Sequence, residues 1–144
     1  MRQVESWMTY FKTIAKQVAT RSKDPNTQVG AVIVNQHYDI VSTGYNGFPP
    51  DVQDTEERWQ RPLKYEFVVH AEMNAISRAA RFGKTTDGGA LFCTHFPCLN
   101  CAKAVIASGV KEVYYSEFAT MTKEEDIKFV TSLFKEAGIE VERI

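Results

Sequence analysis

Apolar residues near the start of the chain recur at intervals of three and four, which is the period of one face of a helix. The stripe consists of Trp7, Phe11, Ile14, Ala15 and Val18. The polar segment SKDPNTQ that follows holds residue types that end helices. The pattern therefore predicts an amphipathic helix over residues 5–21, with this stripe in the core.

Five later segments are rich in β-branched and aromatic residues and are bounded by turn residues, which is typical of strands. The first two, VGAVIVN and DIVSTGYN, are separated by NQHYD and predict a hairpin. GALFCTH, KEVYYSE and IEVERI predict three further strands.

Helical segments separate these last strands. One runs from residue 71 to about 82 and stops at Gly83, and the next is CLNCAKAVIASG, which stops at Gly109. The last, TKEEDIKFVTSLFKEAG, predicts a Thr122 cap, an acidic first turn and a buried stripe of Ile127, Val130, Leu133 and Phe134. Helical crossovers make the strands that they join parallel. The order αββαβαβαβ predicts an α/β fold with a mixed five-stranded sheet whose last strands are parallel.

Residues 47–69 hold three of the five prolines and show no clean period. Loops of this length inside small domains usually cover a site. We expect this insertion to be a functional loop in which Arg58, Trp59 and Arg61 cover or regulate the site.

Length, charge and cysteine content limit the classes of function that the chain can have. A chain of 144 residues fits a single domain spanning residues 1–144. A net charge of −1 gives no broad basic face for long nucleic acid. The first eighteen residues interleave charged and apolar side chains, unlike a signal peptide or a membrane helix. Three cysteines, two of them in CxxC, favour a reducing compartment and metal binding over disulfides. We expect a cytoplasmic protein with a small-molecule ligand and no membrane partner.

A set of metal-ligand residues stands at two predicted helix starts. His70, Cys98 and Cys101 are ligand types that zinc prefers, and three of them leave the fourth position of a catalytic site to water. Glu72 is placed to act as a general acid and base beside that site. HxE followed after 24 residues by PCxxC is the signature of the zinc nucleobase deaminases.

A rival interpretation uses the same two cysteines. Cys93, His95, Cys98 and Cys101 lie within nine residues and could close a four-ligand structural zinc site. The chain would then be a non-catalytic, zinc-stapled binding module. This alternative gives Glu72 no role, and Cys93 also suits a small core residue of a strand.

Longer segments extend the pattern to a family. SKDPNTQVGAVIVN, GYNGFP, KYEFVVHAEMNAI, FPCLNCAKAVIASGVKEVYY and FKEAGIEVERI together resemble the deoxycytidylate deaminases from about Ser22 to the C-terminus. The resemblance implies a cytidine-deaminase-like three-layer α/β/α fold. It also implies zinc-dependent hydrolysis of dCMP to dUMP and ammonia, which supplies dUMP for dTTP synthesis. Members form homo-oligomers, often hexamers, which dCTP activates, with Mg²⁺ accompanying this regulatory nucleotide, and dTTP inhibits.

Carried over residue by residue, the resemblance makes His70, Cys98 and Cys101 the zinc ligands. Glu72 becomes the proton shuttle that protonates N3 of the pyrimidine and later the leaving amine. The insertion contains neither cysteine nor histidine, so the second, structural zinc of certain relatives is not expected. One zinc ion per chain is predicted.

The same resemblance names substrate contacts. Backbone groups at Ala71 and near Phe96 would hold the pyrimidine edge, and Asn46 would position the sugar or base. Asn46 also fits a plain Asn-Gly turn. Phe118 would be the aromatic residue against the substrate, although Ala119 could occupy that position and Phe118 could equally be a core residue.

The phosphate of a nucleotide needs cationic or hydroxyl partners. Arg21, Ser22 and Lys23 offer two charges and a hydroxyl at a helix end. Solvated charges after a helix are the plainer interpretation of the same residues.

Other deaminases of the superfamily, acting on tRNA adenosine, guanine or free cytosine, remain alternatives. We expect an RNA-editing enzyme to carry a more basic face than a chain of net charge −1 shows, although a single stem-loop could be bound locally. A free-base deaminase would need no phosphate contact.

Overall fold

The computed structural model describes residues 1–144 and contains five helices and five strands. In chain order they are α1 (Trp7–Ala19), β1 (Gly30–Val34), β2 (Ile40–Tyr45), α2 (Lys64–Phe67), α3 (Ala71–Arg81), β3 (Ala90–His95), α4 (Leu99–Ala107), β4 (Glu112–Glu117), α5 (Glu124–Glu136) and β5 (Glu140–Arg143). The predicted order of elements is confirmed, with the short helix α2 as an addition inside the insertion.

The strands form one mixed sheet in the order β2-β1-β3-β4-β5. The hairpin strands β1 and β2 are antiparallel, and β1 also pairs antiparallel with β3. β3, β4 and β5 pair in parallel, as the helical crossovers predict. β3 is therefore the central strand.

Both faces of the sheet are covered by helices. On one face Phe11 and Ala15 of α1 pack on Val32 and Val34 of β1. On the other face a larger cluster joins the sheet to α3, α4 and α5; its members include Ala31, Ile33, Ala75, Leu91, Val105, Val113, Val130 and Phe134. Alternate residues of β1 thus point to opposite cores, which confirms the three-layer α/β/α arrangement.

Most helix boundaries follow the sequence signals. Gly83 and Gly109 end α3 and α4 with positive φ angles of 65° and 82°. The first turn of α5 is acidic, as predicted. The predicted Thr122 cap is wrong, because the cap position falls on Lys123 and no side chain donates or accepts a capping hydrogen bond there.

The stripe of α1 is only partly buried. Phe11 is fully buried, but Trp7 at the start of the helix keeps 48% of its surface exposed. Trp7 stacks on Tyr38 of the hairpin turn at 4.7 Å between ring centroids. A residue in the first turn of α1 therefore contacts both the core, through Phe11, and the turn between β1 and β2.

The insertion is folded back onto the body of the chain. Backbone pairing between Gly47 and Val69 closes its two ends. Inside it, Phe48 stacks on Trp59 at 4.4 Å and on Phe67 at 5.2 Å. None of the helices combines the length and apolar character that a bilayer crossing requires.

Candidate active site

Three potential metal ligands converge where α3 and α4 begin. His70 and Cys98 occupy the cap positions of α3 and α4, and Cys101 follows in the first turn of α4. Nδ1 of His70 lies 3.4 Å from the Sγ atoms of both Cys98 and Cys101. In a tetrahedral zinc shell with bonds of about 2.0–2.3 Å, ligand atoms lie about 3.5 Å apart. The donor set therefore has the chemistry and the spacing of a three-ligand zinc site.

The rival donors lie elsewhere. Cys93 is a buried core residue of β3, and its Sγ faces the carbonyl oxygen of Tyr114 at 3.7 Å. The ring of His95 pairs with the carboxylate of Glu117 at 3.1 Å. His70, Cys98 and Cys101 are the one group of at least three such residues close enough to share an ion. The geometry does not assemble the four-ligand site of the rival interpretation.

Glu72 is buried at 4% exposure beside this group, within the first turn of α3. Burial raises the pKa of its carboxyl above the ordinary value, although a backbone hydrogen bond and the nearby His70 act in the opposite direction. A carboxyl group with a raised pKa can both accept and return a proton near neutral pH. Glu72 therefore lies beside the donor set without belonging to it.

The thiols of Cys98 and Cys101 have pKa values shifted in opposite directions. A hydrogen bond from Cys101 lowers the pKa of Cys98 to about 4, and His70 contributes to this shift. The same pairing, together with burial, raises the pKa of Cys101. The pairing with Cys101 and His70 therefore favours the thiolate form of Cys98, and a bound cation would favour the thiolate form of Cys101 as well.

Close packing between β2 and α3 fixes the start of α3. A Cβ atom at Gly44 would collide with backbone atoms of Ala71 and Ala75. Ser42 donates its hydroxyl to the carbonyl of Ala75 at 2.7 Å, and Asn74 donates to the carbonyl of Tyr45 at 2.8 Å. The asparagine of the HAEMNAI segment therefore ties the helix to the end of the strand.

A cavity of about 620 Å³ opens above these residues, at the carboxyl ends of β3 and β4. Six of the residues predicted for the site line it: Asn46, His70, Ala71, Glu72, Phe96 and Cys98. The structure thus brings together residues from three separate segments of the chain. The volume of the cavity suits a small ligand.

Asn46 is buried and held at both ends of its side-chain amide. Its Oδ1 accepts from the backbone N–H of Val29, and its Nδ2 donates to the carbonyl of Thr27, both at 2.8 Å. Ser22 donates its hydroxyl to the carbonyl oxygen of Asn46 at 2.8 Å. Asn46 therefore reaches the cavity in a fixed orientation, and Ser22 supports it from behind.

Three other predicted contacts lie outside the cavity lining. Phe118 packs against Phe96 and Tyr115, and Ala119 lines the cavity in its place, which favours the alternative register. Arg21 is exposed away from the cavity. Lys23 pairs with Asp54 at 2.7 Å on the surface.

Sequence reasoning missed two buried residues of the cavity wall. Lys64 of α2 and Asp24 form an ion pair at 2.9 Å with side chains only 4% and 5% exposed. No local pattern joins residues that are 40 positions apart. Arg61, noted in the sequence only as a possible cover of the site, also lines the cavity.

A mixed sheet with helices on both faces, a His-Cys-Cys donor set at two helix starts and a buried unbound glutamate define the class of zinc-dependent nucleobase deaminases. The chain belongs to the cytidine and deoxycytidylate deaminase family, because the profile described as "Cytidine and deoxycytidylate deaminase zinc-binding region" matches residues 5–117.

Individual relatives agree with this membership. The chain is 40% identical over 144 residues to an uncharacterized deaminase in the luxG 3′ region of Aliivibrio fischeri, covering 96% of this chain and 93% of the relative. It is 44% identical over 117 residues to human deoxycytidylate deaminase, covering 76% of this chain and 64% of the human protein. The chain thus spans less than two thirds of that human relative.

A solved structure matches the whole fold. The dCMP deaminase of cyanophage S-TIM5, in complex with dCMP and dUMP, superimposes with a TM-score of 0.80 at 29% identity. The match covers 99% of this chain and all of that one. The predicted cytidine-deaminase-like fold and the family resemblance are confirmed.

Proposed function

We propose that this protein catalyses the zinc-dependent hydrolytic deamination of dCMP to dUMP and ammonia. The observation that carries the proposal is the buried Glu72 beside three convergent zinc-type donors, of which His70 and Cys98 line a small-ligand cavity. The family membership and the cyanophage relative crystallised with dCMP and dUMP support it.

His70, Cys98 and Cys101 would hold one zinc ion per chain. The spacing of their donor atoms fits this ion, and thiolate and imidazole are ligands that it prefers. Zinc, when bound, supplies Lewis-acid chemistry that makes water a nucleophile at neutral pH.

Glu72 moves the protons. The reaction adds water across the C4–N3 bond of cytosine and then breaks the bond between C4 and the amino nitrogen. Glu72 takes a proton from the attacking water and delivers it to N3. It then takes the proton of the new C4 hydroxyl and transfers it to the departing amine, so that ammonia leaves as the C4 carbonyl forms and the carboxylate is regenerated.

The neighbouring residues orient the base. Ala71 and Phe96 line the cavity beside the donor set, and we propose that their backbone groups hold the pyrimidine edge. Asn46 lines the same cavity on the side of the hairpin, where we propose that it contacts the sugar or base. Phe118 keeps a supporting role, because it packs behind Phe96 at 5.3 Å.

The assay that tests this function follows the ultraviolet change on deamination for zinc-loaded protein. Its substrates are dCMP, CMP, dCTP, deoxycytidine and cytosine. We expect the highest kcat/KM for dCMP. Faster turnover of cytosine than of dCMP, or no turnover of any of them, would contradict the proposal.

We further propose that the enzyme works in the cytoplasm, where dUMP serves dTTP synthesis and reduced cysteines remain available for zinc. Regulation by dCTP with Mg²⁺ and by dTTP, in a hexamer, completes the proposal. A second cavity of about 490 Å³ beside the GYNG segment supports it, because Arg78 and Arg81 in its lining could bind phosphate groups.

The regulatory part has its own test. Initial rates at low dCMP are measured with dCTP plus Mg²⁺ and with dTTP, and analytical ultracentrifugation gives the oligomer size. We expect activation by the first nucleotide and inhibition by the second. Rates that neither nucleotide changes would remove regulation from the proposal and leave the catalytic part intact.

A further inference from the structure

The wall of the cavity contains a buried ion pair. Nζ of Lys64 lies 2.9 Å from Oδ1 and 3.0 Å from Oδ2 of Asp24, and it also donates to Oδ1 of Asn26 at 3.0 Å. Both charged side chains are at least 95% buried. This pair joins the insertion to the turn that precedes β1.

A buried ion pair of this kind is not explained by its contribution to the stability of the fold alone. Taking two charges out of water is unfavourable, and well-packed apolar residues of similar volume often stabilise a fold equally well. Fixed geometry is the better-attested contribution of a buried, fully hydrogen-bonded pair. Since Lys64 and Asp24 both line the cavity, the geometry that they fix is that of the cavity wall.

On one side, the pair orders the turn that holds Asn46. Oδ1 of Asp24 accepts the backbone N–H groups of Asn26 at 2.8 Å and Thr27 at 3.2 Å. The carbonyl of Thr27 in turn accepts from the side-chain amide of Asn46. An unbroken series of hydrogen bonds therefore runs from Lys64 to the Asn46 amide.

On the other side, the pair holds the insertion against the cavity. Arg61, three residues before Lys64, lines the cavity and takes part in none of the four ion pairs of the chain. Tyr65 and Val68, after Lys64, line it too. The lysine thus anchors the segment that carries the one unpaired guanidinium of the cavity.

We infer that Lys64 is a positioning residue for nucleotide binding: through Asp24 it orients the Asn46 amide and holds Arg61 where a 5′-phosphate would lie. The inference rests on the proposed deaminase function. It gives Lys64 no contact with the reacting atoms, so its loss should weaken substrate binding much more than the chemical step.

The decisive comparison is between Lys64→Met and Lys64→Arg in the zinc-loaded enzyme. Lys64→Met keeps the length of the side chain and removes its charge, whereas Lys64→Arg keeps the charge. We expect Lys64→Met to raise the KM for dCMP about tenfold or more and to lower kcat less than about threefold, because a displaced binding group affects binding first. Lys64→Arg should restore most of the affinity.

Two further variants serve as controls for this comparison. Lys128→Met removes a lysine from an exposed pair with Glu124 on α5 and should leave both constants unchanged. Asp24→Asn combined with Lys64→Met avoids an unpaired buried charge, so it serves if Lys64→Met alone does not fold. A raised KM in this folded double variant supports the inference. A KM within about twofold of the wild-type value, in either folded variant, overturns it.

A readout without substrate separates this inference from the proposed function. Hydrogen exchange of backbone amides in residues 60–69 should accelerate in Lys64→Met and not in Lys128→Met. If the wild-type protein fails to deaminate dCMP while this exchange accelerates, the proposed function is wrong and the anchoring by Lys64 stands. Unchanged exchange in residues 60–69 overturns the anchoring.

Discussion

Glu72 is the single residue on which the proposed chemistry depends. It is buried, it lies beside the donor set, and burial raises the pKa of its carboxyl. A glutamine at this position keeps the shape of the side chain but cannot carry protons. Proton transfer by a placed side chain typically accelerates a reaction by about 10²–10⁴-fold.

We expect Glu72→Gln to lower kcat for dCMP at least about 100-fold while the zinc content stays unchanged. Steady-state kinetics and metal analysis of the same preparation provide both numbers. Glu124→Gln, which changes an exposed carboxylate at the start of α5, serves as the matched control. Undiminished turnover by Glu72→Gln would remove the proposed proton shuttle.

The cysteines of the chain have different roles. Cys101 belongs to the donor set, whereas Cys93 is a core residue of β3. We expect Cys93→Ala to keep about one zinc ion per chain and His70→Ala to lose it in the presence of a competing chelator, because two thiolates alone do not complete a three-ligand site. The opposite pattern would favour the structural-zinc interpretation.

At the scale of elements, the site depends on how closely β2 approaches α3. Gly44 has no room for a side chain, since the backbone of Ala71 and Ala75 occupies that space. We expect Gly44→Ala to destabilise the fold by about 1–3 kcal/mol in chemical denaturation, because overpacking displaces the start of α3. Gly47→Ala is the matched control, because its Cβ would meet only the ring of Tyr45 at 3.4 Å. Equal stability of the two variants would show that the contact can relax.

The stability contributed by the ion pair that connects the insertion to the turn before β1 should depend on pH. Burial by itself would raise the pKa of Asp24, but hydrogen bonds from Asn26 and Lys64 outweigh it and lower the pKa below the ordinary value of 3.8. A carboxyl group whose pKa is depressed in the folded state contributes stability above its unfolded pKa and loses it as pH falls through the folded pKa.

We therefore expect the difference in unfolding free energy between the wild type and Asp24→Asn/Lys64→Met to stay constant above about pH 5 and to move against the wild type below about pH 4. Urea denaturation across this range, with chelator present, measures it. A difference that is independent of pH down to pH 3 would contradict the role of the Asp24 charge.

The sequence predicts elements whose signals are local. The period of β1, the glycines after α3 and α4, and the HxE and CxxC spacings all lie within single segments, and the structure places each as expected. The ion pair between Lys64 and Asp24 is not predictable in this way, because only the folded insertion brings its members together. Phe118 and Ala119 illustrate the same limit: a shift of one residue at the end of β4 decides which of them faces the cavity.

At the scale of the whole molecule, the donor set joins the starts of two helices and belongs to neither hydrophobic core. Neither hydrophobic cluster, of fourteen and six buried residues, includes His70, Cys98 or Cys101. A ligand that binds only the folded state raises the free energy of unfolding by about 3–4 kcal/mol when its free concentration is about 100 to 1,000 times its dissociation constant. Removal of zinc should therefore weaken the fold without abolishing it.

We expect chelation to lower the melting temperature by about 5–15 °C while the circular dichroism at 25 °C stays that of a folded α/β protein. Thermal scans before and after chelation, and after zinc is restored, measure the shift. Loss of the folded spectrum at 25 °C on chelation would show that the cores depend on the metal.

The position of β3 has a consequence for synthesis on the ribosome. The strand at the centre of the sheet is third in chain order, so the hairpin of β1 and β2 emerges with one edge unpaired until residues 90–95 have been translated. Val32 and Val34 on that edge have few partners in the nascent chain besides α1. Unpaired apolar strand edges invite association with other chains. The insertion lies between β2 and β3, so slow translation of residues 45–90 lengthens the interval in which this edge of β1 stays unpaired.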